Sequence, residues 1–186
     1  MRIIGIDPGT VITGIGIIDT SGSGATIVDF DAVTSFKGLK LPDRLKKIYD
    51  TCTEKIIKYK PQEFAIETAF YGKNVQSLLK LGQARGVAII AALNQNIPVS
   101  EYSPREIKKS ITGNGASTKS TVSSVVKSIL SIKTELDTHD ISDALAVALC
   151  HSFKRSDHLN MLVSEKSKVS WSDFILSNPD KIFNRN

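Results

Sequence analysis

Four acidic residues stand where carboxylates could do metal chemistry: Asp7, Glu67, Asp140 and Asp143. Asp7 closes the apolar run IIGI and is followed by Pro8-Gly9-Thr10, a turn that lets other groups come close. Glu67 closes a second short apolar run, EFAIE, just before a loop. Asp140 and Asp143 are three residues apart at the start of a helical pattern, so they share a face. Adjacent strands would set Asp7 beside Glu67, and the helix could present its pair across from them. Carboxylates that close repel one another, and a divalent cation removes the conflict. Mg²⁺ prefers oxygen ligands and keeps waters. Two such ions ~4 Å apart form a clamp for in-line attack on a phosphodiester, one activating water and the other stabilising the leaving 3′ oxygen. Each acid also has a plainer account. Asp7 could cap the turn before Pro8, and Glu67 could pair with a lysine. Asp140 and Asp143 could favour a helix dipole, worth roughly 0.3–1 kcal/mol each. His139 beside them reads as a capping or surface residue.

The elements that must carry these acids follow from the apolar pattern. Arg2–Ile6, Thr13–Asp19 and Ala25–Val33 are strand-like, the last two joined by the turn TSGSG, which predicts an antiparallel meander. Leu41–Lys58 is an amphipathic helix with Leu41, Leu45, Ile48, Tyr49, Cys52, Ile56 and Ile57 on one face and Pro42 in its first turn. Pro61 ends it. Glu63–Glu67 then returns as a strand, parallel to the meander through a crossover. Asn74–Gln95 is helical and apolar on most sides, so it belongs in a core or between two subunits. Gly82, Ala84, Gly86 and Ala88 would admit another backbone, and Leu81 with Arg85 suggests an interface rim. Pro98–Tyr102 is a last strand. Ser103-Pro104-Arg105-Glu106 is a capping-box start for a helix. The loop TGNGAST precedes the helix Lys119–Leu130, and Asp140–Ser152 is a final apolar helix.

Composition narrows the class. The chain has 186 residues, enough for one domain with a substantial core. A polar tail, residues 154–186, follows a compact region of residues 1–153, and is expected to be either poorly ordered or packed as one helix near Trp171–Leu176. The longest apolar stretch, Val87–Leu93, is too short for a bilayer, and a charged Asp7 arrives where a signal peptide would be apolar. The expectation is a cytosolic protein without a membrane segment. Cys52 and Cys150 read as reduced core residues. The net charge is +5, and its distribution matters more than its size. Ser103–Lys133 holds six basic residues (Arg105, Lys108, Lys109, Lys119, Lys127, Lys133) against Glu106, and Lys73–Arg85 adds three basic residues and no acid. Such clustering suits a polyanion. For any single lysine, a solvated surface is the competing account.

Four blocks carry a resemblance: IGIDPGTVITGIGII, AIETAFYGKNVQSLLKLGQARGVAIIAALNQ, EYSPREIKKSITGNGASTKSTV and HDISDALAVAL. Together they resemble the RuvC family of bacterial Holliday-junction resolvases, from Arg2 to about Phe153. The resemblance implies an α/β, ribonuclease-H-like fold with a mixed five-stranded sheet flanked by helices. It also implies a homodimer, and Mg²⁺-dependent nicking of two opposed strands at a four-way DNA junction in recombination and repair. Two ions per subunit are expected, with Mn²⁺ as a substitute. The nicks would leave ligatable 5′-phosphate and 3′-hydroxyl ends. The family's four catalytic, metal-binding acids match Asp7, Glu67, Asp140 and Asp143. Some members have histidine at the third position, where this chain has Asp140; His139 is one residue off. The family's junction-core aromatic matches Phe70, and its two backbone-binding lysines match Lys108 and Lys119. A branch-migration motor of the same pathway is the implied partner. Nothing carries over to the tail.

The residues agree with this where they speak. Phe70, three residues past Glu67, could stack on an unpaired base, worth roughly 1–3 kcal/mol; alternatively it folds onto the core. Lys108 and Lys119 flank a glycine-containing loop whose N–H groups phosphate could reach. Rival classes fit less well. An ATP-handling protein of the actin and sugar-kinase type would need a second phosphate loop and an adenosine motif. A non-catalytic junction binder would not need four acids at element ends. A transposase-like or ribonuclease H nuclease would share the metal chemistry but not the GKN…LGQARG helix.

Overall fold

In the computed structural model, residues 1–22, 24–34, 38–68, 74–133 and 138–167 are described, the side chains through residue 156. The chain divides into two compact units, Met1–Phe153 and Lys154–Asn186. In the first, strands β1 (Arg2–Asp7), β2 (Thr13–Ser21), β3 (Gly24–Val33), β4 (Glu63–Glu67) and β5 (Val99–Tyr102) form one mixed sheet in the order β3-β2-β1-β4-β5. β1, β2 and β3 are the expected antiparallel meander, while β4 pairs parallel to β1 and β5 parallel to β4. The crossover between β1–β3 and β4 is helix α1 (Leu41–Tyr59), and β5 follows helix α2 (Val75–Leu93). Helices α3 (Pro104–Thr112), α4 (Lys119–Ile129) and α5 (His139–Ser167) complete the chain.

The pleat sorts the strand residues into two cores. Ile4, Ile6, Ile15, Ile17, Phe64 and Ile66 pack beneath α1 and α2 with Ile48, Cys52 and Ala88. Ile3, Ile18 and Ala65 face the other way, onto Ile107, Val126, Leu145 and Leu149 of α3, α4 and α5. Each fully buried isoleucine or leucine contributes about 1.5–3 kcal/mol relative to exposure. Both cysteines are buried, as expected. Side chains alternate along a strand, so Gly5 and Asp7 share the face of Ile3, and Glu67 shares that of Ala65. The acids at the ends of β1 and β4 therefore point toward α3–α5.

Three strand glycines decide how close α5 lies. A Cβ on Gly5 would stand 2.3 Å from Ala144 O, one on Gly14 2.0 Å from Asp140 O, and one on Gly16 2.8 Å from Leu145 Cδ2. No larger residue fits while the first turns of α5 rest on the backbone of β1 and β2. α5 itself does not stop at Ser152 but runs on to Ser167. The sequence from Phe153 to Ser167 is polar but contains neither Gly nor Pro to break it. The segment Trp171–Leu176 lies outside the described residues.

α2 is less buried than its composition suggests. Its buried residues are Ala84, Ala88, Ala91 and Ala92. Val75, Leu79, Ile90 and Leu93 are exposed, and a Cβ at Gly82 or Gly86 would meet nothing. At about 100° per residue these six positions fall on one arc of roughly 80°, opposite the alanines. Arg85 forms an ion pair with Glu101 of β5. On α1, Ile57 lies outside the buried stripe and is 58% exposed. Among the described residues no helix is long and apolar enough to cross a membrane.

Candidate active site

Parallel pairing of β1 with β4 matches Ile6 to Ile66, so the next residues, Asp7 and Glu67, end side by side. Their carboxyl groups are within hydrogen-bonding reach. The turn after Asp7 is fixed from two sides. Thr13 Oγ1, fully buried, donates to Gly9 O (2.6 Å) and accepts from Gly9 N–H (3.2 Å). Arg44 of α1 donates to Leu39 O (2.9 Å) and Thr10 O (3.3 Å), tying the turn to the helix. Across from the strand ends, the glycine surface brings in the start of α5 with Asp140 and, one turn on, Asp143. His139 opens that helix and is exposed.

The electrostatics follow from this crowding. Burial, then the charges of Glu67 and Asp143, push the Asp7 carboxyl up to about 8, with Lys119 opposing and Asp140 adding to the rise. Burial and Asp143 likewise raise Glu67, while its hydrogen bond with Asp7 and the charges of Lys119 and Lys108 pull it down. One cation is already among the acids. Lys119, the first residue of α4, places Nζ 2.7 Å from Asp143 Oδ2. That hydrogen bond, with the charges of Asp143, Asp7 and Glu67, raises the lysine. Among the described residues no three acidic, histidine or cysteine side chains converge on one point as a ready-made metal cage. Glu67, Lys108, Lys119 and Asp143 instead line a cleft of ≈ 210 Å³, walled by Ile107 and Val122.

All four acids and both lysines singled out in the sequence thus belong to one neighbourhood on the α3–α5 side of the sheet. Phe70 lies outside the described residues. The glycines under α5, the Thr13 brace and Arg44 were not singled out. Gly5, Gly14 and Gly16 did carry a signal, since glycine inside a strand marks a close backbone approach. Thr13 and Arg44 carried none.

A mixed sheet in this order, with helices on both faces and acids at the ends of its two central parallel strands, defines a ribonuclease-H-like protein. The family model described as "Crossover junction endodeoxyribonuclease RuvC" matches residues 3–151. A protein of that name from Chloroherpeton thalassium is 46% identical over 98% of this chain and 99% of its own length. Another, from Salinibacter ruber, is 43% identical over 98% and 99%. Among solved structures, Thermus thermophilus RuvC in complex with Holliday junction substrate superposes with a TM-score of 0.79 at 29% identity, covering 83% of this chain and 94% of that one. The chain belongs to the RuvC family.

Proposed function

We propose that the protein is a cytosolic, structure-selective endonuclease that resolves four-way DNA junctions by symmetric, Mg²⁺-dependent nicking of two opposed strands. The observation that carries this is the pairing of Asp7 and Glu67 at neighbouring strand ends, with Asp143 near enough for its charge to act on both, in a chain of this family and with two lysines lining the same cleft. The donor set fits a hard divalent cation. It is all carboxylate oxygen, and besides burial the charges of Glu67 and Asp143 raise Asp7 while that of Asp143 raises Glu67, a conflict that a dication relieves. Asp7, Glu67, Asp140 and Asp143 would hold the metal. When bound, a pair of Mg²⁺ ions would lower the pKa of the attacking water and neutralise charge on the leaving 3′ oxygen. The products would be ligatable 5′-phosphate and 3′-hydroxyl ends.

The chain's own residues do the rest. Thr13 and Arg44 hold the Asp7 turn so that its carboxylate keeps its aim. Lys108 binds backbone phosphate at the edge of the cleft, where it also offsets the charge of Glu67. Phe70 would stack on a base at the junction centre. Two matched nicks need two sites at fixed spacing, which a two-fold dimer supplies. The Val75–Leu79–Gly82–Gly86–Ile90–Leu93 arc of α2 supports a second copy as its occupant, because glycines among exposed aliphatic side chains let two helices approach closely. Residues 1–153 would form the nuclease domain and residues 154–186 an appendage. A branch-migration motor is the partner to test for binding.

The decisive experiment incubates the full chain with a synthetic mobile four-way junction, with and without Mg²⁺. Paired nicks are expected from the wild type only with metal. Asp7→Asn, Glu67→Gln, Asp140→Asn and Asp143→Asn should each lose cleavage yet retain junction binding in a mobility-shift assay. Cleavage near the wild-type rate by any one of them at limiting Mg²⁺ would remove that residue from the ligand set.

A further inference from the structure

The Lys119–Asp143 pair sits awkwardly with a lysine that only grips DNA. The Lys119 side chain is 74% exposed along its length, yet its ammonium reaches inward to a carboxylate that is only 16% exposed. Its charge is felt by Asp7 and Glu67 as well. The ammonium thus holds Asp143 Oδ2, an oxygen that a dication bound by these acids would also draw on.

We propose that Lys119 is a resident counter-cation that competes with metal for Asp143, and that DNA phosphate draws it away, so that metal uptake and DNA binding reinforce each other. The inference rests on the reading of the rim as a divalent-metal centre. A dication and an ammonium cannot both lie against one carboxylate without repulsion. Each weakens the other's hold on Asp143, and the lysine is the mobile partner. Its four-carbon stem springs from the exposed first residue of α4, whose cap is a different side chain, Thr118 accepting from Thr121 N–H. It can therefore swing out without disturbing the helix. A phosphate at the mouth of the cleft gives the displaced ammonium a new partner. By linkage, whichever ligand frees Asp143 from the lysine helps the other to bind.

Calorimetric titration of Mg²⁺ into the full chain without DNA tests this directly, with no cleavage to read. Lys119→Met keeps the stem and removes the charge. Lys108→Met removes a charge from the same cleft and controls for the general field. The Kd for Mg²⁺ should fall about 3- to 10-fold in Lys119→Met, equivalent to ~0.7–1.4 kcal/mol, and by less in Lys108→Met. In a second arm, Ca²⁺ is titrated with and without a saturating four-way junction. The junction should tighten metal binding more in the wild type than in Lys119→Met. Equal Mg²⁺ affinity in wild type and Lys119→Met overturns the inference and leaves the metal site standing. So does an equal gain in Lys108→Met, which would reduce the effect to net charge. An equal junction effect in wild type and Lys119→Met overturns the coupling. No heat from any of the proteins overturns the metal reading together with the inference.

Discussion

Replacing Asp7 by asparagine should make the metal-free protein more stable, and increasingly so as pH rises. The Asp7 carboxyl moves from 3.8 in the unfolded chain to about 8 in the fold. Between those values the native state holds a proton that the unfolded state releases. Stability therefore falls with rising pH, at up to ~1.4 kcal/mol per pH unit. The stabilising contribution of the protonated acid is complete below about pH 4 and gone above about pH 8. Taken alone, the full shift corresponds to about 5–6 kcal/mol. Glu67 shares the burden of the same crowding, so a gain of about 2–4 kcal/mol is expected for Asp7→Asn at about pH 8.5. The amide keeps the shape and can donate to Glu67, as the protonated acid does. Urea unfolding in EDTA at about pH 5, 6.5 and 8.5 measures the difference, which should grow across the series. Saturating Mg²⁺ should then reverse the order at high pH, because only the wild type recovers binding energy from the ion. A pH-independent difference, or an asparagine variant less stable than wild type at high pH in EDTA, would show that Asp7 is not buried among like charges and would undo the electrostatic account of the rim.

Three further outcomes follow. Gly14→Ala should destabilise the protein by about 3 kcal/mol or more by urea unfolding, because its Cβ would fall 2.0 Å from Asp140 O and backbone must move; Gly82→Ala, with open space at its Cβ, should cost far less. Leu79→Glu should give a folded monomer by analytical ultracentrifugation, with unchanged circular dichroism and loss of paired nicking; an unfolded product would mean the α2 arc is core. Lys108→Ala should weaken binding to all junction sequences alike and flatten the plot of log K against log salt by ~0.9, as expected for one lost phosphate contact.

The strand acids were legible because two regularities located them. Short apolar runs with a carboxylate at the end give strands, and a helix between them forces a parallel crossover, which puts Asp7 beside Glu67. The pair on α5 was legible as one helix face, but its distance from the sheet was not argued, although Gly5, Gly14 and Gly16 encode it. Lys119 shows a different gap. A flexible side chain on a helix end reaches in any of several directions, and residue type and spacing do not choose between a phosphate and Asp143. Polarity misled at two ends. Residues after Phe153 read as a tail because they are polar, yet residues 154–167 contain neither Gly nor Pro, and α5 continues to Ser167. In α2 apolar content suggested a place in a core or between two subunits; Ala84, Ala88, Ala91 and Ala92 are buried with Val87 and Ile89 packed beside them, whereas Val75, Leu79, Ile90 and Leu93 are exposed.

The glycine surface beneath α5 also bears on biosynthesis. β1 occupies the centre of the sheet and precedes by more than a hundred residues the helix that lies on it, which begins only at His139. Synthesis runs from the amino terminus at about 5–20 residues per second, and a domain folds as a unit. The nascent chain therefore carries Asp7 through most of its translation without Asp140 or Asp143, and with Gly5, Gly14 and Gly16 uncovered. The centre closes only with the last helix of the domain. A chain broken off before residue 139 holds Asp7 and Glu67 without Asp140 and Asp143 and lacks the helix over β1, so under the proposed function an unfinished copy would lack half of its cutting centre.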